Sequence, residues 1–177
     1  MSLTKNNFES LTNVAYAIAG IALLFLAPVS QIWVMALLLV VLAYGSYLGH
    51  AKGGKLWALD WAGMGLVFGG LIAYAQSASP INQILAALVG GGFAYALEHY
   101  EDYLDKNLRY AAIILLWILA VVNLYDYGHN VVPGVIIFAI AIAIRQYGEK
   151  HDDSENEIMH GWWHIITAIG FVLLITL

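Results

Sequence analysis

Apolar runs of nearly membrane-spanning length follow one another along most of the chain. A helix needs about 20 apolar residues to cross the hydrocarbon core of a bilayer. Seven segments near that length can be drawn, at residues 11–26, 31–49, 56–75, 81–97, 108–124, 132–144 and 160–177. The sixth is the shortest, and it reaches across only with the help of Arg145 and Gln146. We therefore predict an all-α polytopic protein, one seven-transmembrane-helix bundle over residues 1–177, with six spans as the alternative count.

Composition supports this class and excludes others. Of the 177 residues, 62% are hydrophobic and only 11% are charged, which lies outside the range of soluble domains. The absence of cysteine excludes disulfides and thiolate metal ligands, so any metal must be held by histidine and carboxylate. A net charge of −5 without a basic cluster argues against nucleic acid as a partner. The N-terminal segment lacks the pattern of a cleaved signal peptide, so we expect the first run to direct insertion.

The basic residues predict the orientation. Once seven spans are placed, every lysine and arginine falls on the same side of the membrane, at Lys5, Lys52, Lys55, Lys106, Arg109, Arg145 and Lys150. Cytoplasmic connections carry an excess of basic residues. We therefore expect a cytoplasmic N-terminus, an external C-terminus and a multi-pass location in a bacterial inner membrane. The tryptophans near the span ends predict an interfacial belt, and the small residues at four-residue spacing predict close helix packing.

The polar residues within the spans are few, and five of them fall at the same predicted depth. His160 and His164 are four residues apart, so a helix places both imidazoles on one face. Ser46 and His50 are one turn apart at the end of the second run, and Asp60 lies just inside the third. All five positions fall on the predicted cytoplasmic side. Intramembrane polar groups are costly and usually functional, so we expect the five side chains to converge.

Three histidines with one open coordination position are typical of a catalytic zinc site. Zinc on His50, His160 and His164 would activate a water and polarise a carbonyl. Asp60 could then carry the proton of that water or support a ligand histidine, and Ser46 could donate a hydrogen bond to an oxyanion. The simpler alternatives are a Ser46 hydroxyl bonded to its own helix and an Asp60 carboxylate that faces the headgroups.

The order of these residues resembles the CREST superfamily of seven-span membrane proteins. That group includes alkaline ceramidases, progestin and adipoQ receptors, bacterial hemolysin III proteins and enzymes that remodel glycosylphosphatidylinositol anchors. The resemblance implies zinc on the three histidines, Asp60 as acid and base, Ser46 as oxyanion stabiliser, and hydrolysis of a lipid amide or ester. The segment LDWAGM, which contains Asp60, is closer to the anchor-remodelling branch than to the ceramidases.

Other polar clusters have simpler interpretations. Glu98, Glu101, Asp102 and Asp105 would share a face if the fourth helix continued, and that face either binds a cation or is solvated beside Lys106 and Arg109. The run GEKHDDSENE, residues 148–157, predicts a hydrated loop. His129 falls on the opposite side of the membrane and is not a ligand candidate.

Three functions remain open at this point. A zinc hydrolase acting on a ceramide-like lipid or a phospholipid uses every member of the constellation, and it is the preferred prediction. A receptor or sensor would keep the zinc as a structural ion. A metal-ion transporter would need ionisable residues along a path through the membrane, and the first, fifth and sixth runs offer little beyond Asn123.

Overall fold

The computed structural model describes residues 6–26, 31–150 and 153–177. Within these ranges the chain is helical, with short turns and no strand. The α-helices are α1 (Asn6–Thr12), α2 (Val14–Leu26), α3 (Ile32–Lys52), α4 (Trp57–Ala75), α5 (Pro80–His99), α6 (Lys106–Asp126), α7 (Val132–Gly148) and α8 (Asp153–Thr176). The prediction of an all-α protein is confirmed for the part of the chain that the structure describes. Lys5, used above to assign orientation, lies outside it.

Five helical segments are long and apolar enough to cross a membrane. They are Ile32–Lys52, Gly54–Ala75, Pro80–His99, Lys106–Asp126 and Asn156–Thr176. The apolar helices Ser10–Leu26 and Val132–Gly148 are shorter. Five such helices are compatible with a multi-pass integral membrane protein. The count of seven spans and the cytoplasmic N-terminus stay predictions.

Local sequence explains where several helices begin and end. Ser79 caps α5 by accepting a hydrogen bond from the Asn82 amide at 3.4 Å, and Pro80 occupies the first turn, where no amide donor is needed. Gly53 and Gly54 adopt φ values of +64° and +57° between α3 and α4. This left-handed conformation is easy for glycine. Only four residues therefore separate the end of α3 from the start of α4, so both helix ends lie at the same end of the bundle.

Helix α4 lies at the centre of the bundle, packed against α3, α5 and α6. Its contact with α5 is close because small residues face each other. A Cβ atom on Gly65 would lie 2.3 Å from the Gly90 carbonyl oxygen, and one on Gly69 would lie 2.3 Å from that of Ala86. Apolar association is not driven by water inside a membrane, so such close backbone packing stabilises the pair. The predicted packing role of these small residues is confirmed.

Helix α8 packs against α1, α2 and α7. The Phe171 ring, which is buried, lies 6.0 Å from the Phe68 ring, 5.1 Å from the Phe138 ring and 6.3 Å from the Tyr16 ring, measured between centroids. Aromatic side chains therefore connect α8 to α2, α4 and α7 across the interior.

The structure corrects one boundary. Residues 148–157 are not all loop, because α8 begins at Asp153 and already includes the polar residues before His160. Asp153 to Glu157 thus form the start of the last helix and not part of the connection before it. The two histidines lie well inside a continuous helix, where their relative position is fixed by helical geometry.

Candidate metal centre

Three histidines from two helices meet at one end of the bundle. His50 comes from the last turns of α3, and His160 and His164 come from α8. One candidate ligand nitrogen from each side chain can be chosen so that all three lie within 4.8 Å of one another. The ring centroids form a nearly equilateral triangle, with separations of 4.7, 4.8 and 4.7 Å. The predicted convergence of the three imidazoles is therefore observed.

The donor set fits a metal ion. In tetrahedral coordination with metal–nitrogen distances of ~2.0–2.1 Å, neighbouring ligand nitrogens lie roughly 3.4 Å apart. The three candidate nitrogens, within 4.8 Å of one another, are already close to that spacing. The site is also largely shielded, since His164 is 0% and His50 only 9% exposed. No other comparable group of histidine, aspartate or glutamate side chains occurs in the described ranges.

Two tryptophans form part of the wall around the histidines. The Trp57 ring meets the His50 ring edge-on, with centroids 4.5 Å apart. The Trp163 ring lies 5.5 Å from the His160 ring and 5.2 Å from the His164 ring. The sequence indicated only an interfacial position for these residues. In the structure they also limit the space in which the imidazoles can rotate.

Ser46 is fully buried, and its hydroxyl has no hydrogen-bond partner among the described residues. This is unusual for a hydroxyl in a membrane helix, which normally donates to a carbonyl one turn earlier. Thr167 and Thr176 do so, donating to the carbonyls of Trp163 and Val172 at 2.8 Å each. The simpler explanation for Ser46, a bond back to its own helix, is therefore not what the structure shows.

Asp60 is also buried, with 6% of its surface exposed. It lies in the first turn of α4 against α3, where a Cβ atom added to Gly49 would be 3.4 Å from the Asp60 Cβ. Gly49 directly precedes His50, so Asp60 lies at the same end of the α3–α4 contact as this histidine. The alternative that Asp60 faces the headgroups does not match its burial. The catalytic roles of Ser46 and Asp60 stay predictions.

Sequence reasoning missed the side chains that contact His164 from the N-terminal helices. Thr12 Oγ1 lies 3.2 Å from His164 Nδ1, and the Tyr16 ring lies 5.8 Å from the His164 ring. The Tyr16 hydroxyl bonds to Thr167 Oγ1 at 2.7 Å. Thr12 and Tyr16 are four residues apart at the start of the first apolar run, and Thr167 follows His164 by three. In a continuous helix, each spacing places its two side chains on one face, but nothing in the sequence indicates that the two faces meet.

The acidic run after α5 does not form the predicted helical face. The helix ends at His99, Glu101–Tyr103 form a 3-10 turn, and Leu104 is extended, so the four carboxylates do not share one helical face. Glu98 forms an ion pair with Arg109, and Glu101 lies 3.6 Å from the same guanidinium group. Asp105 caps α6 by accepting from the amides of Asn107 and Leu108 at 2.9 and 3.2 Å. The prediction of a shared face was wrong because α5 ends at His99 and the chain turns before α6 begins at Lys106.

His129 is separate from the metal centre, as predicted. Its ring lies 5.8 Å from that of Tyr74, in the last turns of α4, whereas Asp60 is in the first turn. The two positions are about 21 Å apart along the helix axis at ~1.5 Å per residue. Partial burial lowers the pKa of His129 from its ordinary value. This histidine therefore stays neutral near pH 7.

No protein-family model matches the sequence, and no curated protein matches it.

Proposed function

We propose that this protein is a zinc-dependent membrane hydrolase that cleaves an amide or ester bond of a lipid, as the resemblance to CREST enzymes implies. The observation that carries the proposal is the convergence of His50, His160 and His164 within 4.8 Å at a buried site. All three candidate ligands are imidazoles, which suit zinc, and the chain has no cysteine to form a closed thiolate site. Three protein ligands would leave the fourth coordination position of zinc open for water or substrate.

The three histidines would hold the ion, and the other buried polar residues would do the acid–base work. Bound zinc supplies a water with a pKa of around 7 and a Lewis acid that polarises the substrate carbonyl. The Asp60 carboxylate would accept a proton as the carbon–oxygen bond to the attacking water forms. It would return the proton to the nitrogen or oxygen that leaves as the amide or ester bond breaks.

The Ser46 hydroxyl has a natural role in the same step. A buried hydroxyl without a partner costs about 1–3 kcal/mol, so its retention needs an explanation. A substrate oxygen that gains negative charge would accept its hydrogen bond, and this stabilisation arises only as the reaction proceeds. A purely structural zinc site, as in a receptor, would give this hydroxyl no comparable function. The buried, unpartnered hydroxyl of Ser46 thus supports a hydrolase over a receptor.

The position of the site suits a lipid. His50 lies near the end of one apolar helix, and Asp60 near the start of the next. A ceramide-like lipid or a phospholipid places its amide or ester at the boundary between headgroup and acyl chains. Such a substrate could present its scissile carbonyl to this depth without leaving the bilayer.

Metal analysis of the purified protein provides the first test. We expect about one zinc per chain after dialysis against metal-free buffer. The protein should be purified in a mild detergent without a histidine tag, so that the count reports the native histidines. Protein that carries no zinc, and takes up none when zinc is supplied, would refute the proposal.

The second test concerns the reaction. Vesicles containing labelled ceramides and phospholipids are incubated with the wild type, Asp60→Asn, Ser46→Ala and the control Asp126→Asn, whose carboxylate is exposed at the end of α6. We expect released fatty acid from the wild type and the control. Ser46→Ala should lower kcat by about 100- to 1000-fold, the usual effect of losing one oxyanion donor. If no labelled lipid is cleaved while zinc stays bound, the protein is not a hydrolase of these lipids.

A further inference from the structure

The N-terminal helices reach the metal centre through His164. Thr12, at the end of α1, places its hydroxyl oxygen 3.2 Å from His164 Nδ1, and both residues are buried. The two residues are 152 positions apart in the chain. The contact therefore exists only because α1 packs against α8.

This contact determines which nitrogen of His164 can bind a metal. A neutral imidazole carries one proton, and the nitrogen without the proton is the ligand. If Nδ1 holds the proton and donates it to Thr12 Oγ1, Nε2 is left as the ligand atom. Ligand histidines almost always donate their other N–H group to an oxygen in this way, which fixes both tautomer and ring orientation.

Two further contacts hold the N-terminal segment against α8. Thr167 Oγ1 donates to the Trp163 carbonyl, so in its bond with Tyr16 it accepts from the phenol. Gly161 permits the close approach, because a Cβ atom there would lie 2.5 Å from the Phe8 ring and 3.2 Å from Thr12 Oγ1. The segment thus follows the α8 surface from Gly161 to Thr167, with Thr12 aligned with His164.

We propose that Thr12 is a positioning residue of the metal centre. It holds His164 in the Nδ1-protonated tautomer, with Nε2 as the metal ligand. The segment α1–α2 is then part of the site and not only a membrane anchor. This inference rests on the proposed function in one respect, that the three histidines bind zinc.

The test compares Thr12→Val with Thr12→Ser in the full-length protein in detergent. Valine keeps the shape of threonine and removes the oxygen, whereas serine keeps the oxygen. Zinc affinity is measured by competition with a chelator of known affinity. We expect Thr12→Val to bind zinc about 10- to 100-fold more weakly, the usual cost of losing such a partner, and Thr12→Ser to restore most of the affinity. Thr176→Val, which removes a hydroxyl from the last turn of α8, is the matched control and should leave affinity unchanged.

A spectroscopic measurement on the wild type needs no variant. Nitrogen-15 chemical shifts of labelled histidine in the zinc-loaded protein should show His164 protonated at Nδ1 and coordinated through Nε2. Coordination through Nδ1 would overturn the inference, as would equal zinc affinity of the wild type and Thr12→Val. Both results leave the proposed zinc site intact. A wild type that binds no zinc would instead overturn the proposed function, and this inference with it.

Discussion

Two polar regions of this protein looked similar in sequence but differ in the structure. The histidine cluster joins α3 and α8, and the acidic run of residues 98–105 joins α5 to α6. The imidazoles converge on one buried point. The carboxylates form no such group, because the helix ends between them and Glu98, Glu101 and Asp105 take local partners. Glu98 pairs with Arg109, and Asp105 caps a helix.

The difference shows what turns a set of ligand-type residues into a site. His160 and His164 share one continuous helix, so their side chains must lie on the same face. The acidic residues are as close together in sequence, but they lie where a helix ends. Their oxygens then satisfy backbone amides and a nearby guanidinium group. Residue type and spacing predict that two side chains share a face only when one helix continues through both positions.

The largest expected effect is on zinc content, which we compare between one variant of the histidine cluster and one of the acidic run. His164→Ala removes one of the three candidate ligands and should abolish stoichiometric zinc binding. Asp102→Asn, on the exposed acidic turn, should retain about one zinc per chain. Elemental analysis of both variants, purified in parallel, makes the comparison. Loss of zinc in Asp102→Asn would show that the acidic turn takes part in the metal site after all.

The second prediction changes the acidic run and expects a loss of stability without a loss of zinc. Glu98→Ala leaves the buried Arg109 guanidinium without its closest partner, although Glu101 stays 3.6 Å away. Removing one member of a buried pair typically costs about 3 kcal/mol or more. We expect a clearly lower unfolding temperature in detergent with zinc content unchanged. An unaltered unfolding temperature would mean that the pair contributes nothing to the fold.

The third prediction tests whether helix packing sets the geometry of the histidine end. A Cβ atom on Gly45 would lie 2.7 Å from the carbonyl oxygen of Leu59, the residue before Asp60. Gly45→Ala should therefore separate α3 from α4 beside the site and cost about 1–3 kcal/mol. Gly92→Ala, where an added Cβ meets nothing within 4 Å, is the control and should have no measurable cost. Equal thermal stability of the two variants would contradict the close α3–α4 packing.

The smallest effect concerns a histidine outside both regions. Partial burial lowers the pKa of His129 below the ordinary 6.5. The unfolded chain then binds this proton more readily, so stability rises with pH between the lowered value and 6.5 and is lost as pH falls through that window. Unfolding temperatures of zinc-free wild type and His129→Gln should diverge only below about pH 6.5. A constant difference from pH 5 to 8 would exclude this linkage.

Part of the candidate site could be predicted from the sequence. The apolar runs predicted the helices. Within a helix, a spacing of four residues places His160 beside His164 and Ser46 beside His50. The contact between Thr12 and His164 could not be predicted in the same way. It depends on how closely α1 approaches α8 at Gly161, and a small residue permits such an approach without requiring it.

The sequence by itself determined that this chain forms apolar helices and which ligand-type side chains share a helix face. The reason is local: hydrophobicity and the 3.6-residue turn act between neighbours in the chain. The sequence also predicted that His50 would meet the histidines of α8, as the structure shows. Only the tertiary structure decided how closely they approach, that Thr12 joins them, and that the acidic run is used for capping and ion pairing. These outcomes depend on interhelical distances of a few ångströms, which are set by the packing of side chains far apart in sequence.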